Sequence, residues 1–369
     1  MVRRFFKSIV TVISLIASGA LLFSAATAYV SPTHTSVLAF AGYLFPFLWA
    51  VNFVLFAFWL IKRRWQSLMP LIAILITWVH WQHTFQWKAT EKDQSEITQA
   101  LKVMSFNARM FDYYDWIGDG TNEKIFDMIR KENPDVLCIQ EFFTSRNSKD
   151  YNENYILRRL SQFRYQHIEY RAGTKSKRNF GLATFSKYPI VEKHSLKFKQ
   201  SNNFSIYTDV KVGSQRLRIF NNHLESIKFS RQQLNFMDSL NYADENERNE
   251  KIKAISSKLS TAFESRATQA ENIGQYIANS PYSPIVCGDF NDTPVSYVYR
   301  KMRGKLNDAF VSSGQGFGGT YNGPLPSFRI DFIFHDDAFQ SYNFKRLKLD
   351  LSDHYPIITT LDLSPDENK

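Results

Sequence analysis

Residues 285–291 read Ile-Val-Cys-Gly-Asp-Phe-Asn. Three apolar residues followed by a glycine read as a short buried strand with a sharp exit. Asp289 and Asn291 stand just past its end. The same grammar recurs outward in both directions. Leu101–Asn107 alternates and closes on Asn107; Val136–Gln140 is followed by Glu141; Arg216–Phe220 leads into Asn222-His223-Leu224. Downstream, Arg329–Phe334 carries Asp331, and Ser352-Asp353-His354 precedes the run Ile357–Leu361. With Leu182–Ser186 and Phe204–Val212 these make eight expected strands. Helical patterns fall between some of them, at Asn122–Lys131, Tyr155–Ser161 and a long stretch from about Ser230 to Asn279. Strands outnumber helices, so the fold class is α+β, sheets packed face to face with helices outside.

Carboxylates, amides and two histidines thus recur where a sheet would converge them on one rim. Taken singly each has a bland reading: Gln-Glu as a cap, Gly-Asp-Phe-Asn as an Asx turn, His223 as a satisfied half-buried imidazole. Together they suit hydrolysis of a phosphate ester. Asn107, Glu141 and Asp353 are hard oxygen ligands of the kind Mg²⁺ takes. Two cysteines in 369 residues rule out a disulfide scaffold and a Cys-based zinc site. Asp289 is suited to orient or deprotonate a water, and Asn291 to donate to a phosphate oxygen. Asp331 is suited to hold the His354 imidazole in one tautomer. His223 reads as a second phosphate contact or proton carrier.

Residues 101–362 resemble the endonuclease/exonuclease/phosphatase superfamily. The matching strings are Met104–Asn107, Ile139-Gln140-Glu141, Asn179–Ile190, Asn222-His223-Leu224, Gly288–Asn291, Arg329–Ile333 and Ser352–Pro356. The resemblance implies a four-layer α/β sandwich with two central mixed sheets and the site at one end. It also implies a Mg²⁺- or Mn²⁺-dependent hydrolase working by in-line attack of water on a phosphorus ester. Carried over position by position, Asn107, Glu141 and Asp353 would hold metal. His354, Asp331, Asp289 and His223 would be catalytic, and Asn291, Asn222 and Arg178 would meet substrate.

Charge is divided unevenly. Residues 1–90 contain seven Lys or Arg and no acid, so most of the net charge of +10 lies there. The remainder holds 38 bases against 35 acids, too slight an excess for a protein that tracks a polyanion. Between Lys7 and Lys62 no residue is charged. Apolar runs at about 9–30, 37–61 and 66–86 are each near the ~20 residues that cross a bilayer, which predicts three transmembrane helices. Arg3, Arg4, Lys7 and Lys62-Arg63-Arg64 would stay cytoplasmic. Residues 91–100 then form a linker on the outer face of the cytoplasmic membrane, followed by the catalytic domain at 101–364 with a helical insertion at about 225–262. Membrane tethering favours a lipid-like or envelope phosphodiester as substrate. A tethered nuclease is the alternative, and a catalytically silent scaffold is the rival from another class.

Overall fold

The computed structural model describes residues 2–171, 177–199, 201–227, 245–323 and 326–364. The apolar runs become the inner strands of two six-stranded sheets. The first has the order β11(Gln340–Arg346), β12(Ile357–Asp362), β1(Ala100–Asn107), β2(Val136–Ser145), β4(Arg178–Ser186), β3(Tyr165–Tyr170). The second has the order β5(Ile190–Lys197), β6(Phe204–Val212), β7(Gln215–His223), β8(Ser283–Asp289), β10(Asp331–His335), β9(Asn307–Asp308). The pairs β1–β2 and β7–β8 are parallel and the remaining neighbours antiparallel, so both sheets are mixed.

Each parallel pair needs a crossover, and a helix supplies it. Helix α6(Thr121–Glu132) joins β1 to β2 and stops at Asn133, whose φ of 47° lets the chain turn ahead of Pro134. The second connection contains α8(Glu245–Ala278), a 34-residue helix. The expected insertion at 225–262 lies partly outside the described residues; the parts inside them are residues 225–227 and the N-terminal half of α8.

Apolar side chains fill the space between the sheets, among them Val103, Val136, Cys138, Leu217, Ile219, Ile285, Cys287 and Ile357. A second cluster buries α6 and α7(Glu153–Arg159) on the outer face of the first sheet. A third buries α8 and α9(Tyr297–Arg303) on the second. Toward one end the inter-sheet layer turns polar. There Gln140 Nε2 donates to Asn221 Oδ1 at 2.7 Å and Asn107 Nδ2 to Asp289 Oδ2 at 3.0 Å, each bond linking one sheet to the other. That end lies at the carboxyl termini of the parallel strands, where the chemistry-bearing residues were expected.

The N-terminal region departs from expectation. Helix α1(Val2–Ala26) holds a stretch long and apolar enough to cross a membrane, Arg4–Ala26. The run at 37–61 breaks into α2(Val37–Gly42) and α3(Phe45–Ile61), with Pro46 in the first turn of α3. At 17 residues α3 rises about 26 Å, short of the ~30 Å hydrocarbon core. The run at 66–86 breaks into α4(Leu68–Ile76) and α5(Trp78–Thr84) at Thr77, whose hydroxyl bonds back to the Ala73 carbonyl at 2.8 Å. Three continuous spans are therefore not what these residues form: among the described residues, one helix meets the length criterion.

These helices form a small bundle with polar groups inside. Asn52 Nδ2 donates to the Ala17 and Leu48 carbonyls, Ser18 donates to Asn52 Oδ1, and Trp59 Nε1 donates to Ser14 Oγ. Large apolar side chains such as Phe6, Val12, Leu15, Ile16, Val54 and Leu75 point outward and are exposed. The bundle also packs on the sandwich. Val295 joins the cluster of Leu21, Trp49 and Trp81, Phe85 meets Phe317 edge-on, and Gln86 pairs with Gly316. The segment expected to be a linker is docked as well, through Lys92 N to Asn343 Oδ1 at 2.9 Å and Asn343 Nδ2 to the Lys92 carbonyl at 2.8 Å.

Candidate active site

The site assembles where four inner strands of the two sheets end. Asn107 closes β1. One strand over, Glu141 sits in a β-bulge, where the pairing shifts between Ile139 opposite Ala183 and Phe142 opposite Gly181. Its backbone φ of 52° is that of the extra residue, and the bulge re-aims its side chain toward the site. Across the sandwich Gly288 precedes Asp289 with a φ of 141°, and a Cβ there would lie 2.0 Å from the Asn222 carbonyl oxygen. Only glycine allows β7 and β8 to approach so closely just before the catalytic-type carboxylate.

Asp331 and His354 meet directly, with His354 Nδ1 2.9 Å from Asp331 Oδ2. Thr320 Oγ1 accepts from the Ile330 and Asp331 amides, and the Ser352 hydroxyl accepts from the His354 amide, fixing both partners from behind. The other ring nitrogen, Nε2, lies 3.7 Å from Asp289 Oδ2, and His223 Nε2 lies 3.6 Å from the same oxygen. Burial works against a charged His354 ring, but Asp331, Asp289 and Asp353 outweigh it and lift it well above the ordinary imidazole range. The structure therefore favours an imidazolium facing Asp289.

A cluster of acceptors lies beside this pair. Glu141 Oε1 is 4.0 Å from His223 Nε2, and Asp353 Oδ2 is 3.3 Å from Arg109 Nε. Burial, and then the neighbouring charge of Asp353, push Glu141 up to about 7. Two carboxylates forced together in this way call for a cation. Asn107 Nδ2 donates to Asp289 Oδ2, and its oxygen, which accepts from the Arg109 amide at 3.1 Å, keeps a second lone pair for an ion. Asn107, Glu141 and Asp353 thus fit a hard divalent ion. Asp289, Asp331 and His354 also place one ligand atom each within 4.8 Å of one another. In that group, however, Asp331 already engages His354 Nδ1, which leaves the acceptor trio as the better cradle.

The remaining expected residues divide. Asn291 has a φ of 54°, and its side-chain amide donates to the Leu224 carbonyl at 3.1 Å, which uses one of its two N–H groups. Asn222 is not brought to the site: it is fully buried, and its Nδ2 bonds the Cys287 carbonyl at 2.8 Å, tying β7 to β8. Arg178 stands at the mouth beside the Tyr113 and Tyr114 rings. There a cavity of about 490 Å³ opens from Glu141 and His223 between Arg171, Arg178, Phe180 and Phe204. Sequence reading missed Arg109, which pairs with Asp353 from a loop in which residues 109–112 all have positive φ. Nothing in the string Arg-Met-Phe-Asp announces that conformation.

The family model described as the Endonuclease/Exonuclease/phosphatase family matches residues 104–354, the whole span that carries these side chains. The chain belongs to that family. It is accordingly a metal-dependent phosphoric ester hydrolase. A second family model, described as a domain of unknown function, matches residues 7–84 of the helical bundle. No curated protein matches the sequence. Solved structures share the fold. An endonuclease/exonuclease/phosphatase from Beutenbergia cavernae DSM 12333 has a TM-score of 0.51 at 15% identity, over 72% of each chain. D. rerio TDP2, complexed with single strand DNA product, has a TM-score of 0.50 at 18% identity, over 71% of this chain and 98% of its own. SmcL gives 0.50 at 18% identity, over 71% and 99%.

Proposed function

We propose that the protein is a membrane-anchored phosphodiesterase that hydrolyses a phosphodiester presented at a bilayer surface, with Mg²⁺ or Mn²⁺ as cofactor. The observation that carries the chemistry is the His354–Asp331 pair facing Asp289, directly beside the acceptor trio of Asn107, Glu141 and Asp353. The trio would hold the ion, which when bound polarises a phosphoryl oxygen and stabilises the leaving alkoxide. Asp289 accepts a hydrogen bond from the attacking water and aligns it with the phosphorus. His354, held by Asp331 in one orientation and charged, donates to a non-bridging oxygen as negative charge builds there. His223 gives that oxygen a second contact. Arg178, at the mouth, receives the remainder of the substrate.

Anchoring rests on the bundle. Its polar groups face inward and its apolar side chains outward, the reverse of a helical region designed to face water. Helix α1 is long enough to span, and the shorter helices suit burial alongside it. With α1 as the single span, Arg3, Arg4 and Lys7 on the cytoplasmic side would leave the catalytic domain outside the cytoplasmic membrane. Tethering raises the local concentration of headgroup phosphodiesters at the site. The second reading, a tethered nuclease, draws on Arg171 and Arg178 in the cavity wall and on the TDP2 structure with its DNA product.

The test compares the full chain, in detergent micelles with Mg²⁺, on two substrates: phospholipid vesicles and single-stranded DNA. His354→Ala serves as control. Phosphoester release from vesicles that disappears in the control supports the lipid reading. DNA cleavage that disappears in the control, with inert vesicles, replaces it with the nuclease.

A further inference from the structure

We infer that the catalytic domain has a bilayer contact of its own, formed where the loop at 314–319 lies against the end of the bundle, with the lipid headgroup layer as its partner. Two side chains mark it. Trp87, three residues past α5, is 73% exposed, and Phe317, at the tip of the loop, is 53% exposed. Both rings touch Phe85, with centroids 4.8 Å away for Trp87 and 4.9 Å away for Phe317. Phe85 in turn stacks on Trp81, and Trp81 stacks on Trp49 at 3.9 Å. An aromatic row thus runs from inside the bundle to its surface, and one of its outer members, Phe317, belongs to the catalytic domain. The loop is held there by backbone. The Gln86 amide donates to the Gly316 carbonyl at 3.0 Å, and the Gly316 amide donates to the Gln86 carbonyl at 2.8 Å. Gly316 and Gly318 have φ of 72° and 61°, so a glycine on each side of Phe317 permits the turn that carries the ring.

What covers this surface follows from the two ends of the bundle. Trp59 Nε1 donates to Ser14 Oγ and Asn52 Nδ2 to the Ala17 carbonyl, so α1 and α3 run antiparallel. Lys7 and Lys62 then share the end away from the sandwich. Leu21, Phe45 and Trp81 lie at the other end, in the cluster that Val295 joins, and Trp87 and Phe317 continue that end outward. A bundle seated in a bilayer with its cationic end at one surface brings its opposite end to the other headgroup layer, where Trp is enriched. The inference rests on the anchoring reading above and adds that the sandwich itself, and not only its tether, is seated on the lipid. Thr320, three residues beyond Phe317, accepts from the Ile330 and Asp331 amides, so one short segment separates the contact from the catalytic pair. The site is thereby held at a fixed height over the membrane that anchors the chain, which favours a phosphodiester lying in that same leaflet.

The experiment uses the full chain in phosphatidylcholine vesicles. Cys138 and Cys287 are buried, so a thiol-reactive bimane reports on one introduced cysteine at a time. The sites are Phe317→Cys, Trp87→Cys and Leu15→Cys on the exposed face of α1, with Ser214→Cys as the distant control. Ser214 is exposed in the hairpin between β6 and β7, at the end of the sandwich away from the site. Phosphatidylcholine brominated on its acyl chains, in a deep and a shallow isomer, is the quencher. The label at 15 should lose fluorescence to the deep isomer, the labels at 317 and 87 to the shallow one, and the label at 214 to neither. Quenching at 15 with 317 and 87 as bright as 214 overturns the inference and leaves the anchoring reading in place. No quenching at 15 removes the anchoring reading itself, and this inference with it. Fluorescence at 317 that changes with protein density and not with brominated lipid assigns the surface to a second copy of the chain, which also overturns the inference. Should Phe317→Cys fail to fold, Trp87→Cys decides by the same comparison.

Discussion

The His354 ring owes its charge to its company: three carboxylates lie within its reach in a buried pocket, and Asp331 holds it at 2.9 Å. Replacing it with glutamine keeps a hydrogen-bond donor but not the charge, so His354→Gln should lower kcat by about 10²–10⁴ while the far-ultraviolet circular dichroism stays unchanged. Near-native turnover would remove His354 from the machinery. Glu141 yields a two-sided expectation. Because Asp353 and Asp289 press on its charge, Glu141→Gln should raise the melting temperature in EDTA. It should also shrink the further rise that Mg²⁺ produces, since binding to the folded state is what stabilises. A rise in EDTA with an undiminished Mg²⁺ response would take Glu141 out of the ligand set. Gly288→Ala faces both a φ of 141° and a backbone oxygen at 2.0 Å. Chemical denaturation should show a loss of more than about 2 kcal/mol.

At the level of elements, the eight strands legible in the sequence are the eight inner strands. The four that escaped, β3, β5, β9 and β11, are the four edges of the two sheets. The reason is physical. An inner strand is flanked by neighbours and covered on both faces, so it must be apolar. An edge strand such as Ile190–Lys197, with Glu192, Lys193 and His194 in the middle, keeps charges that discourage pairing with other chains. The candidate site residues were legible because they sit at inner-strand ends. Asn222 was misplaced because strand alternation beside His223 turns it into the sheet, and Arg109 was missed because a left-handed loop leaves no compositional mark. The edge also supplies a pH response. On β3, His167 is buried with its Nδ1 2.8 Å from Thr208 Oγ1 of the opposite sheet, and burial lowers its pKa to about 4. Between pH 6.5 and 4 the unfolded chain therefore binds a proton that the folded chain refuses, so stability falls as pH falls through that window and is unaffected above it. Over those pH units the loss amounts to about 3 kcal/mol. Urea unfolding of His167→Asn should show a correspondingly shallower decline toward pH 4; an identical slope would mean that the ring is protonated in the fold.

For the whole molecule, hydropathy alone suggested three independent spans and a free linker. What it lacked was the docking: Trp81, Phe85 and Gln86 fit against Val295, Phe317 and Gly316, and Arg329 donates to the His83 carbonyl at 2.7 Å. Apolar residues that look destined for lipid are partly committed to the protein's own surface, and window averages cannot separate the two fates. A fragment starting at residue 91 would expose Val295, Phe263 and Phe328, which pack on the bundle. Calorimetry should find it less stable than the full chain in micelles, and it should associate in solution; equal melting temperatures would reduce the bundle to an appendage. Among the described residues the two sheets, finally, share no backbone ladder. Asn107 and Asp289 face each other because the filling between the sheets, Cys138 and Cys287 included, has one thickness and one offset. The active site is therefore a gauge of that spacing. A methyl group added or removed in the layer, far from any reacting atom, would slide one half of the catalytic set past the other, and the chemistry would suffer before the fold did.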